Sequence, residues 1–322
     1  MEKKIKEINL MDVGGFRIGQ VEDTKGITGL TVMLFDEASP VGLDIRGGGP
    51  ASRETPLLNP VADCKGLHGI VLSGGSAFGL DAAGGVMEYL EERGIGLDVG
   101  ITKVPLVCQS CVFDLPLGDY KARPDKGMAY AACEAASYQP VLEGNHGAGM
   151  GCTVGKYRGP QSCMKGGIGT YAMENGGIKV GAIVAVNAVG DIYDVDTNQV
   201  IAGALKDDGT LINDEMDYFE VARQLQEQSR TNTTIGIVVT NAKLDKTALN
   251  KVASMAHNGY GRAIRPVHTM MDGDSIYAAS TGEVLADVNL IGPMAAYVMA
   301  KAIGNAVRHA EGILGVKAAG DL

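Results

Sequence analysis

Apolar positions along the chain fall into two periodicities. Runs rich in β-branched residues and bounded by turn residues occupy Ile27 to Phe35, Gly69 to Leu72, Ile178 to Val186 and Thr234 to Thr240, and each predicts a strand. Their apolar residues are nearly continuous rather than alternating, so both faces of these strands are expected to be covered. A helical spacing runs from Ala77 to Arg93, Lys126 to Ser137, Leu244 to His257 and Val288 to Ala310. Buried strands with helices available to cover them predict an α/β (α+β) fold, a layered sandwich with helices outside.

One segment breaks this pattern. Between Gln199 and Arg230 the chain is polar and acidic, which predicts a helix and a mobile connection. It ends abruptly at Thr233, where TTIGIVVT begins and reads as a buried central strand. A hydroxyl residue therefore stands at the join between polar connection and core.

Composition narrows the class. With 322 residues, 45% hydrophobic and 20% charged, the chain can bury one large core or two modest ones. A formal charge of −10 with scattered Lys and Arg argues against a nucleic-acid partner, which needs clustered cations. The N-terminal basic residues are followed by no signal-like apolar stretch, and eighteen uninterrupted apolar residues occur nowhere, so no membrane association is expected and the reading is cytoplasmic. The 46 glycines against 11 prolines predict tight turns and close backbone approaches. Of six cysteines only Cys108 and Cys111 form a close pair; without two further ligands at zinc spacing they read as buried reduced thiols, and no metal is expected.

Three constellations can carry chemistry. In LSGGSAFGLDAAGG, Leu72 to Gly85, a strand enters a Gly-rich turn and then a helix, a geometry that presents backbone N–H groups to an anion or shapes a pocket with Gly75, Ser76 and Phe78. It lacks the G-K-[ST] of a P-loop and the flanking glycines of a nucleophile elbow; close strand-to-helix packing is the alternative. Asn232-Thr233-Thr234 precedes the apolar strand. A threonine needs a base to be a nucleophile, and its own α-amine, ordinarily near 7.7 to 8.0, qualifies once the bond before it is cut. Asp272-Gly273-Asp274 places two carboxylates two residues apart, on one side of an extended segment, or else forms a hairpin turn.

Taken together, GLDIRGGGP (Gly42 to Pro50), RETPLLNP (Arg53 to Pro60), HGIVLSGGSAFGLDAAGGVM, GNHGAGMGCTVGK, KGGIGT and TNTTIGIVVTNAKL resemble the DmpA-type aminopeptidases, which include β-aminopeptidases and nylon-oligomer endo-hydrolases. The likeness covers nearly the whole chain. It implies a single hydrolase domain over residues 1–322, a four-layer αββα sandwich of the N-terminal-nucleophile-like type, and self-processing between Asn232 and Thr233 into fragments 1–232 and 233–322. Thr233 matches the family nucleophile, Lys156 in TVGK a lysine beside it, and Asn187 in VAVNAVG an amide of the oxyanion or nucleophile environment. Asp272 and Asp274 match the acidic pair as the nylon branch carries it, where β-aminopeptidases carry Ser and Glu. Phe78 departs from that branch, which has a tyrosine there.

The implied roles are chemically consistent. Lys156 polarises the hydroxyl and keeps a nearby amine neutral by like-charge repulsion, Asn187 donates to an oxyanion, and the two aspartates orient the amine and take its proton. Side chains and the new terminus supply every group, so no cofactor is expected. The substrate is expected to be a small peptide, an amino-acid amide or a 6-aminohexanoate-like oligomer. The fragments should remain associated as a heterodimer and assemble further into a homo-oligomer, expected to be a tetramer. The competing reading is a non-hydrolytic acyltransferase or binding protein on the same scaffold.

Overall fold

The computed structural model describes residues 5–223 and 232–322. Two sheets form its centre. The larger has six strands in the order Ile5–Ile8, Gly167–Asn175, Ile178–Asn187, Thr233–Ala242, Ser275–Val284 and Val41–Ile45, antiparallel throughout except that Thr233–Ala242 runs parallel to Ser275–Val284. The smaller has five, in the order Phe16–Asp23, Thr28–Ser39, Leu67–Ser73, Val107–Cys111 and Ser52–Arg53, again with one parallel pair, Leu67–Ser73 beside Val107–Cys111.

Helices α1 (Ala83–Glu91) and α2 (Lys126–Ala135) cover the outer face of the smaller sheet; α4 (Lys246–Ala263) and α5 (Val288–Arg308) cover that of the larger, and the short α3 (Glu215–Ala222) lies apart from both. Three apolar layers result. Alternation along the strands sorts residues between them: Ile183, Ala185, Ile235, Ile237 and Val239 meet Phe16, Met33, Ile70 and Leu72 between the sheets, while Ala182, Val184 and Val238 turn to α4 and α5. This is the αββα arrangement that the family resemblance implies, and the layered sandwich with helices outside that the residue pattern predicts.

Local chemistry sets the helix boundaries. Asp125, Asp245 and Asp287 stand one residue before α2, α4 and α5, and each accepts a backbone N–H of the first turn, from Met128, Ala248 and Asn289 respectively. The helical spacing from Ala77 divides into a 3-10 turn, Ser76–Asp81, and α1, whose first free N–H at Ala83 is taken by Gln109 Oε1 from the strand beneath. Helix α5 is apolar around nearly its whole circumference because the sheet and α4 enclose it. A Cβ on Gly259 of α4 would lie 2.3 Å from Ala296 O, so a residue without one lets the two helices meet.

The four predicted strands are present. The polar region contains α3 within a largely irregular path, and residues 224–231 lie outside the described ones. Cys108 and Cys111, three apart on one strand, point to opposite faces and are buried free thiols, and burial pushes Cys111 up to about 12. They share no ligand position.

The inter-sheet layer should dominate stability. Ile237→Ala, which empties a site 1% exposed at its centre, is expected to cost about 3 kcal/mol, whereas Leu285→Ala, at a site 84% exposed, should cost under about 0.5 kcal/mol. Urea unfolding of the two variants checks the contrast.

Candidate active site

Thr233 opens the central strand of the larger sheet, so both its neighbours converge on it. On the antiparallel side its register partner is Asn187, the last residue of Ile178–Asn187. On the other, Asn232 pairs in parallel with Asp272, just before Ser275–Val284 begins. Thr233 follows the alternation of Ile235 and Ile237, which places its side chain at one end of the inter-sheet layer. It is 4% exposed.

The Asp272-Gly273-Asp274 segment is extended and lies alongside Asn232-Thr233, which removes the hairpin-turn reading. Asn232 N donates to Met271 O at 3.2 Å, and Gly273 N donates to Asn232 O at 2.9 Å. The Thr233 hydroxyl donates to that same carbonyl oxygen. A Cβ on Gly273 would sit 2.9 Å from Thr233 Oγ1 and 2.7 Å from Gly49 O, so only glycine leaves room for both. The loop Arg46–Gly49 clamps the segment from outside, with Arg46 N on Asp274 O at 3.0 Å and Gly49 N on Asp272 O at 2.8 Å. A side chain at Gly47 would strike the Asp274 backbone at 2.3 Å.

Both aspartates are buried and hydrogen-bonded. Asp272 Oδ2 accepts from Thr269 N and Oγ1 at 3.0 and 2.6 Å, and Oδ1 accepts from Val189 N at 3.4 Å. Asp274 Oδ1 accepts from Thr234 N at 2.7 Å, while Oδ2 faces His268. Burial, with the Asp274 charge beside it, pushes Asp272 up to about 6.

Lys156 and Asn187 form one unit. Lys156 Nζ donates to Asn187 O at 2.9 Å and to Oδ1 at 2.8 Å. The Asn187 amide also accepts from Thr153 N at 3.0 Å and donates through Nδ2 to Phe113 O at 2.9 Å. One amide hydrogen is committed there, so donation to an oxyanion falls to the second. The loop holding Lys156 is fixed by Gly155 N on Gly190 O and Lys156 N on Val189 O, with Gly155 at a left-handed φ of 68°. Burial brings Lys156 down to about 8.

Beside Lys156 lies a cavity of about 360 Å3, lined by Phe113, Asp114, Pro116, Leu117, Thr153 and Cys163 among others. Gly75, Ser76 and Phe78 do not line it. The Gly-rich turn instead supports its wall: Gly75 N donates to Asp114 Oδ1 at 2.7 Å, and a Cβ on Gly74 would lie 1.9 Å from Asp114 Oδ2. The acceptor that this turn's N–H meets is the protein's own Asp114 carboxyl group. Phe78 is 58% exposed and lies under the Arg123 guanidinium, 3.5 Å from its ring centre.

Sequence reasoning therefore named four polar residues that the fold gathers around Asn232-Thr233, namely Lys156, Asn187, Asp272 and Asp274, and missed Asp114, His268 and the Gly47–Gly49 clamp. Asp114 had no local signal, since its meaning depends on Gly75 from another strand end. The GGG triplet was visible, but its target was not.

Comparison with known proteins bears on the family and the fold. The family model described as peptidase family S58 matches residues 9–319. An aminopeptidase of Mycobacterium tuberculosis, named as uncharacterized, is 33% identical over 96% of both chains. A 6-aminohexanoate-oligomer endohydrolase of Paenarthrobacter ureafaciens is 31% identical over 87% of this chain and 76% of its own. Among solved structures, a β-aminopeptidase of Burkholderia sp. superposes with a TM-score of 0.69 at 20% identity, covering 96% of this chain and 89% of that one. An L-aminopeptidase D-Ala-esterase/amidase of Ochrobactrum anthropi, described as a new variant among the Ntn hydrolase fold, gives 0.70 at 19% identity, covering 94% and 86%. The fold is thus that of the Ntn-hydrolase aminopeptidases.

The lowered Lys156 carries a stability signature. Between about 8 and the ordinary 10.5 the unfolded chain binds a proton at this lysine that the folded chain does not, so its contribution to stability rises with pH through that window. Below about 8 both states are protonated and the folded state bears the full cost of burying the charge. Lys156→Met lacks this dependence, so its stability relative to wild type should fall as pH is raised from about 7 to about 9.5. Urea midpoints of both proteins at the two pH values test this; a difference independent of pH would place Lys156 in an ordinary solvated environment.

Proposed function

The chain belongs to peptidase family S58 and is an amide-bond hydrolase, and we propose that it matures by cutting itself before Thr233 and then uses Thr233 as its nucleophile. The observation that carries this reading is the Asn232 carbonyl, whose oxygen accepts both the Gly273 N–H and the Thr233 hydroxyl. A carbonyl so polarised, beside a hydroxyl of the next residue, is prepared for internal acyl transfer. The Oγ1–C bond forms as the Asn232-Thr233 C–N bond breaks; the hydroxyl proton passes to a base and the departing nitrogen takes one up. Charge that develops on the Asn232 oxygen is met by the Gly273 N–H. Water then opens the ester, leaving the Asn232 carboxylate, the Thr233 hydroxyl and a free α-amine.

Lys156, brought to about 8 by burial, is able to exchange a proton near neutrality on the cavity side. Asp272, raised to about 6, offers a second site on the opposite flank. In turnover the new α-amine accepts the Thr233 proton, the step for which the uncut chain has only an amide nitrogen. The same attack then falls on an external amide carbonyl, with the acyl group on Thr233 as the intermediate.

The cavity fits a small acyl group. Phe113, Pro116, Leu117 and Val316 give it an apolar lining, and Asp114 sets a buried carboxylate within it. That combination favours a short aliphatic residue bearing a free amine, as in amino-acid amides, small peptides or 6-aminohexanoate-like oligomers. Asp114→Ala should raise KM for amine-bearing substrates more than for their N-acetylated forms.

Mass spectrometry tests the maturation step. Wild type should give fragments 1–232 and 233–322, Thr233→Ala a single inactive chain, and Thr233→Ser the same cut as wild type. Active protein that is uncut, or cut elsewhere, would overturn the assignment of Thr233.

A further inference from the structure

His268 occupies a position the proposed chemistry does not yet use. Its backbone N–H and its ring Nδ1 both reach the same atom, Asp274 Oδ2, at 3.2 and 2.8 Å. The other oxygen, Oδ1, accepts Thr234 N, the first peptide inside the nucleophile strand. Asp274 is fully buried, and the His268 ring lies against it, 2.8 Å from Oδ2. A buried carboxylate that can rotate would exchange these acceptors; one clamped through Oδ2 cannot.

The backbone at His268 is bent to make this possible. Its φ is 59°, a left-handed value that a side chain with a Cβ adopts at a cost, and that geometry turns N–H and ring to the same oxygen. The ring is then held by its neighbours. It stacks on Tyr260 with centroids 5.7 Å apart and meets His257 edge to face at 4.7 Å, while His257 is itself tied through Nε2 to Asp44 O at 3.0 Å. His268 does not line the substrate cavity.

We propose that His268 is a positioning residue for the Thr233 reaction, fixing the Asp274 carboxylate against the first peptide of the nucleophile strand. This rests on the assignment of Thr233 above. His268 touches neither the scissile bond nor the cavity; it acts through Asp274, so it contributes to the rate and not to substrate affinity.

His268→Gly and His268→Asn test it as a pair, because both accept the left-handed φ and only asparagine places an N–H donor near the position of Nδ1. The readouts are the first-order rate of conversion to fragments and kcat and KM for an aminoacyl p-nitroanilide, with the thermal midpoint measured alongside. His268→Gly should lower kcat by about tenfold or more with KM within about twofold, and His268→Asn should recover it to within about threefold. Wild-type kcat in His268→Gly, or equal impairment in both variants, would overturn the proposal. If His268→Gly does not fold, His268→Asn decides: kcat near wild type supports the donor role, and a loss as large as that of Asp274→Asn refutes it. Uncut wild type would instead remove the Thr233 assignment, so the two failures are distinguishable.

Discussion

The site depends on one strand having unlike neighbours. Thr233–Ala242 pairs antiparallel with Ile178–Asn187 and parallel with Ser275–Val284. In an antiparallel pair the start of one strand meets the end of the other, which delivers Asn187; in a parallel pair the two starts coincide, which delivers Asp272 to Asp274. Thr233 therefore receives an amide from the far end of one neighbour and carboxylates from the near end of the other. A purely antiparallel sheet would place the Asp272–Asp274 segment at the other end of the strand.

Around that arrangement the site is held mostly by main chain. Gly273 N donates to Asn232 O and Asn232 N to Met271 O, Arg46 to Gly49 fasten the acidic segment from outside, and Lys156 sits on a loop hydrogen-bonded to Val189 and Gly190. Positions set by backbone are less free to relax than those set by long side chains, which suits groups that must stay charged, or change charge, out of water. The opposed shifts of Lys156, down to about 8, and Asp272, up to about 6, follow from that burial. Each is brought toward neutrality by the same cause acting on charges of opposite sign.

Much of this was legible in the chain itself, and unevenly so. The strand from Thr234 and helices α4 and α5 declare themselves through uninterrupted or periodic apolar residues. Phe16–Asp23 and Gly167–Asn175 do not, because one carries Arg17, Gln20, Glu22 and Asp23 among its apolar residues and the other carries small glycines where α5 packs closely. Among site residues, Thr233, Asp272 and Asp274 stood out as candidates by themselves, whereas Lys156 and Asn187 entered only through the family resemblance of the blocks that hold them. Phe78 drew attention by its place in a Gly-rich turn, yet lies under Arg123, whereas Asp114, buried on that turn's N–H, had nothing adjacent in sequence to mark it. His268 was hidden for a related reason: its significance is a left-handed backbone and a carboxylate six residues on, neither of which composition reveals.

The location of Asn232-Thr233 at the mouth of a central strand has a consequence for quality control. Its carbonyl receives the Gly273 N–H only when that residue has arrived alongside, and Gly273 arrives only when the parallel pairing of Thr233–Ala242 with Ser275–Val284 has registered across some forty residues. On the proposed reading, the cut is therefore a checkpoint that a half-folded chain cannot pass. A nascent chain would carry no reactive amine, and the cell would meet the hydrolase only in copies whose larger sheet is complete.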